Sequence, residues 1–250
     1  MAELVLALAT SHSPVLGSTA EDFAMHSARD KANPRHLDKE GAPCSYDDLL
    51  AAAGNKFADE LTPDIIARRV DSCRQGIARL AKTLEDAAPD VLLIVGDDQQ
   101  EQFLEDNMPA ILIYWGETIE NDVLPLPADA PAYWRRARSQ FHEKDARRAY
   151  PVDAIHGKQL IEGLIDRGFD ISHSRTLPRA SGEGHAFGFV HRRLMGDAPI
   201  PIIPIVLNTY FPPNQPTPER CHDLGTAIAD TIAGWDDSAR VAIVASGGLS

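Results

Sequence analysis

Leu4-Val5-Leu6-Ala7-Leu8-Ala9, followed at once by Thr10-Ser11-His12-Ser13-Pro14, is the stretch that decides the fold. A short apolar run that stops at a polar turn reads as a strand, and it sets His12 just past that strand's carboxyl end. In open α/β sheets this edge is where ligands bind. Imidazole is the commonest metal ligand and the usual acid or base near neutral pH. One histidine in a turn is also ordinary, so its meaning depends on what else reaches the same edge.

Four more runs share the character of the first: Val91–Val95, Ala110–Tyr114, Ile202–Leu207 and Val241–Ala245. Each is nearly continuous and apolar, as in strands buried on both faces. Helical patterns lie between them. Ile65–Ala87 carries Ile66, Val70, Cys73, Ile77, Leu80, Ala81 and Leu84 close to a 3.6-residue period, with Thr62-Pro63 as N-cap and first helical residue. Ala130–Tyr150 is amphipathic and rich in Arg, Ala154–Arg167 is stopped by Gly168, and Thr217–Gly234 opens with Pro218-Glu219. The alternation predicts α/β architecture in a single domain over 1–250: a mostly parallel or mixed central sheet flanked by helices. Residues 17–88 read as a helical insertion. Its first part, Gly17–Asn55, is polar and expected to form short helices over one end of the sheet.

Bulk properties exclude several functions. The 250 residues are 44% hydrophobic with a net charge of −13, and Lys and Arg never run longer than pairs. A concentrated basic face for nucleic acid is missing. No apolar run approaches the ~20 residues of a membrane helix, and Met1-Ala2-Glu3 lacks the basic start of a secretory signal. Cys44, Cys73 and Cys221 are few and widely spaced, so neither a disulfide framework nor a Cys-x-x-Cys zinc site is expected. These features predict a cytoplasmic protein. Neither a phosphate-binding Gly-x-x-x-x-Gly-Lys nor a Gly-x-Ser-x-Gly elbow occurs.

Four more loops carry unusual polar or turn-forming density. Gly96-Asp97-Asp98-Gln99-Gln100-Glu101 follows Val91–Val95 directly, at a strand end like that of His12. Ser181-Gly182-Glu183-Gly184-His185 surrounds a histidine with glycines, which permit close backbone approach. Asn208–Pro213 and Ala245–Ser250 follow two other strands. A solvated acidic turn and a flexible loop with an exposed histidine are the plain alternatives for the first two. His26 and His36 in the insertion, and His142, His156, His173, His191 and His222 elsewhere, read as surface or capping residues.

Taken in order, these segments resemble the class III extradiol ring-cleaving dioxygenases. Ser11-His12-Ser13-Pro14 is similar to the end of that family's first strand, Asp90–Phe103 to its second strand and metal loop, and Gly184-His185 to its Asp-His-Gly region. Ile203-Pro204 through Asn208, Pro212-Pro213, Arg220-Cys221 and Leu224-Gly225 follow suit, and Val241–Ser250 is similar to the last strand with its Gly-Gly-x-Ser turn. The Gly-Asp-Asp-Gln loop resembles the 3-O-methylgallate type more than the protocatechuate type.

The resemblance implies a non-haem Fe(II) held by two histidines and a carboxylate, with open positions for a catecholate and O2. It implies His12 as a metal ligand and His185 as the catalytic histidine at the substrate hydroxyl. The family's second metal histidine falls on Gln99. Gln99 is therefore expected to ligate through its carbonyl, with Asp97, Asp98, Glu101, His26 or His36 as alternatives. The family's active-site base and carboxylate ligand fall beyond Ser250, so the chain is expected to be truncated at its C-terminus. Implied partners are an aromatic diol and O2, with a homodimer or a small partner subunit, in the catabolism of aromatic, including lignin-derived, compounds. Two other expectations stay open: a non-catalytic metal-binding or scaffolding relative, and a Zn(II) protein of the same fold. His12 and His185 must lie within about 12 Å to share one site, allowing ~2 Å for a metal bond and room for a substrate.

Overall fold

In the computed structural model, residues 1–247 are described. The elements run β1 (Glu3–Thr10), α1 (Phe23–Ala32), β2 (His36–Leu37), β3 (Pro43–Cys44), α2 (Tyr46–Ala53) and α3 (Pro63–Ala87). There follow β4 (Val91–Asp97), β5 (Ile111–Tyr114), β6 (Thr118–Asn121), α4 (Ala132–Ser139), β7 (Arg148–Pro151), α5 (Ala154–Asp166) and β8 (Ser172–Ser174). The chain closes with α6 (His185–Val190), a π-helical turn His191–Met195, β9 (Ile202–Leu207), α7 (Pro218–Ala233) and β10 (Arg240–Ser246).

Two compact units make up the chain. The first comprises Met1–Ser13, Ile77–Pro125 and the residues from Ser139 onward. It holds a six-stranded sheet of order β1-β10-β4-β9-β5-β8. The pairs β1/β10, β10/β4, β4/β9 and β5/β8 are parallel and β5/β9 is antiparallel, so the α/β expectation of a mostly parallel, mixed sheet holds. Alternation along the strands sorts the core. Val91, Leu93, Ile203, Ile205 and Val241 pack with Leu160, Ile161 and Leu164 of α5 and with Leu224, Ile228 and Ile232 of α7. Burying each such side chain contributes about 1.5–3 kcal/mol before conformational entropy is subtracted. Phe187 and Ala186 of α6 crowd Gly96 of β4, where an added Cβ would lie 2.8 Å from the Ala186 Cβ.

The second unit comprises Pro14–Gly76 and Leu126–Arg138. Its short helices α1 and α2 were expected of the polar insertion. The Ser45 hydroxyl and the Asp48 carboxylate form a reciprocal capping box at α2. Asp22 is buried and accepts from the Thr19 N–H at 2.9 Å and the Arg136 Nε at 2.9 Å. The Arg136 guanidinium holds its carboxyl far below the usual carboxylate range.

Three expectations change. Among the described residues β1 is an edge strand paired with β10, and its side chains are exposed or half-buried rather than buried on both faces; Leu4 is 42% exposed. The helix expected over Ala130–Tyr150 covers Ala132–Ser139 alone, and Arg148–Pro151 pairs antiparallel with β6. Full burial of Tyr150 and the ladder with Thr118–Asn121 outweigh a helical period there. The three-residue β8 is polar, and nothing in its composition announces a strand. No helix among the described residues is long and apolar enough to cross a membrane.

Candidate metal centre and its histidine

Three adjacent parallel strands deliver the site. Thr10 of β1 pairs in register with Ser246 of β10, and Ser246 with Gly96 of β4. The residues at or just beyond these positions, His12, Ser246 and Asp97, therefore share one carboxyl edge. His185, the first residue of α6, reaches the same point. His12 Nε2 lies 3.1 Å from His185 Nε2 and 3.4 Å from Asp97 Oδ1. The expected proximity of His12 and His185 is met with a wide margin. The side chains of His12, Asp97 and His185 are 5%, 7% and 10% exposed.

The donor chemistry calls for a cation. Ser246 Oγ donates to the Ala186 carbonyl at 2.7 Å, so it accepts from His12 Nδ1 at 3.2 Å. That fixes the proton of a neutral His12 on Nδ1 and turns a bare Nε2 toward Asp97. Asp97 Oδ1 is buried without a hydrogen-bond partner among the described residues. Burial and the neighbouring His185 lower the pKa of His12, against an opposing pull from Asp97 and Glu101. Two acceptors thus face each other with no hydrogen between them, an arrangement that is costly unless a positive charge sits there. One ligand atom each from His12, Asp97 and His185 lies within 4.8 Å of the others. An ion ~2.1 Å from two ligands at a right angle separates them by ~3.0 Å, close to the distances found. The residues present fit a divalent metal of the kind two histidines and a carboxylate hold.

The loop after β4 assigns a task to nearly every polar residue. Gln99, expected as a ligand, is exposed, and its Nε2 donates to Asp97 Oδ2 at 3.2 Å. Asp97, one of the alternatives, is the residue that aims an oxygen at the histidines. The Asp98 carboxylate is turned into its own loop and accepts the N–H groups of Glu101 at 3.2 Å, Gln102 at 2.9 Å and Phe103 at 3.1 Å. Burial pushes the Asp98 carboxyl up in pKa against those bonds. Glu101 Oε2 accepts from His185 Nδ1 at 2.7 Å. Gln102 ties this loop to the next by donating to Ser181 Oγ at 3.0 Å and accepting the Arg179 N–H at 2.9 Å.

A buried polar chain anchors the other side of His185. Glu183 Oε1 accepts from His191 Nδ1 at 2.7 Å and from Asn121 Nδ2 at 2.8 Å. His191 stacks on Tyr150 with ring centroids 3.8 Å apart. Tyr150 donates to Glu143, and burial together with that bond pushes its hydroxyl up to about 12. Arg192 closes the chain on Glu143 at 2.8 Å. His191 and His142 are therefore buried residues, not the surface histidines expected, because both fall on segments folded against the sheet-bearing core. His222 is exposed as expected. In the second unit His26 bonds Ser18 at 2.8 Å and His36 bonds the Asp30 carbonyl at 2.7 Å.

Sequence reading picked out His12 and His185 and kept Asp97 among alternatives. It missed the roles of Ser246, Asp98, Glu101 and Gln102. The available signal was position: Asp97 is the last residue of β4 and keeps the strand's direction, whereas Gln100 already sits at φ 61° in the turn. The turn residues Gly248, Leu249 and Ser250 lie outside the described residues.

Residues 136–250 match the family model described as the catalytic LigB subunit of aromatic ring-opening dioxygenase. The chain is 27% identical over 177 residues to a 2,3-dihydroxyphenylpropionate/2,3-dihydroxicinnamic acid 1,2-dioxygenase of Photorhabdus laumondii, covering 71% of this chain and 48% of that protein. It is 27% identical over 176 residues to the protein of the same name from Comamonas testosteroni, covering 70% and 47%. The chain spans about half the length of the curated relatives it matches. The matched segment contains His185 and Ser246, and both relatives are named as dioxygenases, so the chain is similar over residues 136–250 to the catalytic LigB subunit of aromatic ring-opening dioxygenase.

Proposed function

We propose that the protein opens the ring of a carboxylated catechol or gallate-type substrate with O2, beside its hydroxyls, using Fe(II) held by His12 and Asp97. The observation that carries this reading is the convergence of His12 Nε2, Asp97 Oδ1 and His185 Nε2 at one buried point. Fe(II) held there would supply Lewis-acid and redox chemistry to a catecholate and O2. His12, held by Ser246, offers its Nε2 without reorganisation. Asp97 adds a negative charge beside the ion, and Gln99 steadies its second oxygen. His185 takes the proton that the substrate hydroxyl sheds on binding and returns it as the ring opens. Burial of all three residues keeps bulk water from the reacting atoms.

The named relatives act, by their names, on dihydroxyphenylpropionate and dihydroxycinnamic acid, which are catechols with a carboxylate tail. That chemistry supports a carboxylated diol here, in aromatic catabolism that includes lignin-derived acids. The same reading has the enzyme in the cytoplasm, working as a homodimer or with a small partner subunit. The test is oxygen uptake by the protein loaded anaerobically with Fe(II), against 2,3-dihydroxyphenylpropionate, protocatechuate, gallate and 3-O-methylgallate. Uptake with one of them, lost in His12→Ala, supports the proposal. Stoichiometric iron without uptake moves the protein to a metal-binding relative, and Zn(II) in anaerobically purified protein moves it to the zinc reading.

A second arrangement is favoured by one distance. At 3.1 Å from His12 Nε2, His185 Nε2 stands where a third ligand of the same ion would stand. His185→Gln separates the two: iron retained with turnover lost assigns the proton, and iron lost assigns the ligand.

A further inference from the structure

We propose that Glu101 is a positioning residue: it holds the His185 ring with its proton on Nδ1, so that Nε2 meets the centre as a bare acceptor. The catalytic consequence rests on the proposed function; the ring assignment does not.

Glu101 turns both carboxylate oxygens toward His185. Its Oε2 accepts both the ring Nδ1 of His185 at 2.7 Å and the backbone N–H of His185 at 3.1 Å, and Oε1 lies 3.3 Å from the same N–H. A carboxylate accepts and an imidazole nitrogen that bonds to it must donate, so the hydrogen sits on Nδ1. An imidazole in water prefers its proton on Nε2, and a hydrogen bond at one ring nitrogen decides which form a protein holds. Without Glu101, His185 would turn an N–H toward His12 Nε2 and Asp97 and could neither take a proton there nor bind a metal.

Two further observations are explained by this role. Gly184 has φ −68° and ψ 163°, a conformation any residue adopts, so its identity is not a backbone requirement. A Cβ on Gly184 would lie 2.8 Å from Glu101 Oε2. Glycine keeps the passage open through which the carboxylate reaches His185. The loop carrying Glu101 is also held from both ends. Asp98 gathers the N–H groups of Glu101, Gln102 and Phe103, while Gln102 laces the loop to Arg179 and Ser181. That is more support than a solvated acidic turn requires.

The experiment is ring 15N spectroscopy of the metal-free full chain at about pH 8.5, where an ordinary imidazole is neutral, with the His185 signals identified by His185→Gln. Wild type and Glu101→Gln, whose amide oxygen still accepts, are expected to show a protonated Nδ1 on His185. Glu101→Ala is expected to move the proton to Nε2, and Gly184→Ala to lower the Nδ1-protonated fraction. After Fe(II) loading, Glu101→Ala should lose about 10²-fold in kcat with little change in KM, and Glu101→Gln should recover most of it. A bare Nδ1 in the wild type, or a protonated Nδ1 persisting in Glu101→Ala, overturns the assignment. The wild-type spectrum decides the question even if Glu101→Ala fails to fold. If no substrate gives oxygen uptake while the spectra come out as expected, the proposed function fails and the positioning role stands.

Discussion

At the scale of single residues, the centre is a set of acceptors held in place by neighbouring side chains. Ser246 decides the proton on His12 because its own hydrogen is committed to the Ala186 carbonyl. Asp97 is left with one buried oxygen that no described residue hydrogen-bonds. Replacing it by Asn removes the charge and keeps the shape, so Asp97→Asn should lose most Fe(II) affinity while melting within a few degrees of wild type. Equilibrium dialysis and thermal unfolding check the two halves of that statement. Gln99 tests the difference between a ligand and a support. Removing a residue that only orients a ligand typically costs 10–100-fold in metal affinity, and Gln99→Ala should fall in that range. A loss as complete as that of His12→Ala would instead make Gln99 a ligand through its carbonyl.

Among elements, the close approach of α5 and α7 shows how little room the sheet's helical layer leaves. A Cβ on Gly163 would fall 2.4 Å from Thr231 Cγ2 and 2.9 Å from its Oγ1. Thr231 cannot swing aside freely, since it is buried and its hydroxyl donates to the Ala227 carbonyl at 2.7 Å. Ala is the better helix former by about 1 kcal/mol, but overpacking typically costs 1–3 kcal/mol. Gly163→Ala should therefore destabilise by about 1–2 kcal/mol in urea unfolding, the reverse of what propensity alone predicts. Leu164→Ala, on the same helix and fully buried, should cost about 2–5 kcal/mol through lost transfer energy and the cavity left behind.

For the molecule as a whole, one histidine away from the centre ties stability to pH. His156 bonds Asp153 at 2.6 Å through Nδ1 and Asp237 at 2.7 Å through Nε2, and stacks on Trp235 with centroids 4.3 Å apart. Burial by itself lowers its pKa, but the two carboxylates outweigh burial and the net shift is upward. A folded-state pKa raised above the unfolded one gives stability that is complete below the unfolded value, about 6.5, and is lost as pH rises through the folded value. The stability advantage of wild type over His156→Gln should thus be larger at about pH 5.5 than at about pH 8.5. Urea titrations of both proteins at the two pH values measure it, and an equal gap at both sets aside the carboxylate pairing as its source.

Sequence alone settles the five apolar strands β1, β4, β5, β9 and β10 and the carboxyl edge at which His12 and Asp97 stand. A short, continuous, β-branched run such as Ile202–Leu207 reads as a strand buried on both faces, and the residues after it fall at the carboxyl end. His12 was legible from its place past a strand's carboxyl end and His185 from its glycine-rich surroundings, and the order of segments, not either histidine alone, set them apart from ordinary turn histidines. Thr217, Pro218 and Gly234 mark the ends of α7 through local capping chemistry, which needs no tertiary partner. Tertiary structure alone decided how the carboxylates of the Gly96–Glu101 loop are divided. Asp97, Asp98 and Glu101 are alike in charge and close in sequence, yet one faces the centre, one closes its own loop and one grips a histidine 84 residues away. It also decided that Arg148–Pro151 is a strand, because its partner β6 lies far from it in sequence and Tyr150 is buried only once the segment is packed in place. The physical reason is common to both: local pattern reports what a residue can bury or cap, whereas the direction of a polar side chain is set by partners that only the assembled sheet brings within hydrogen-bond reach.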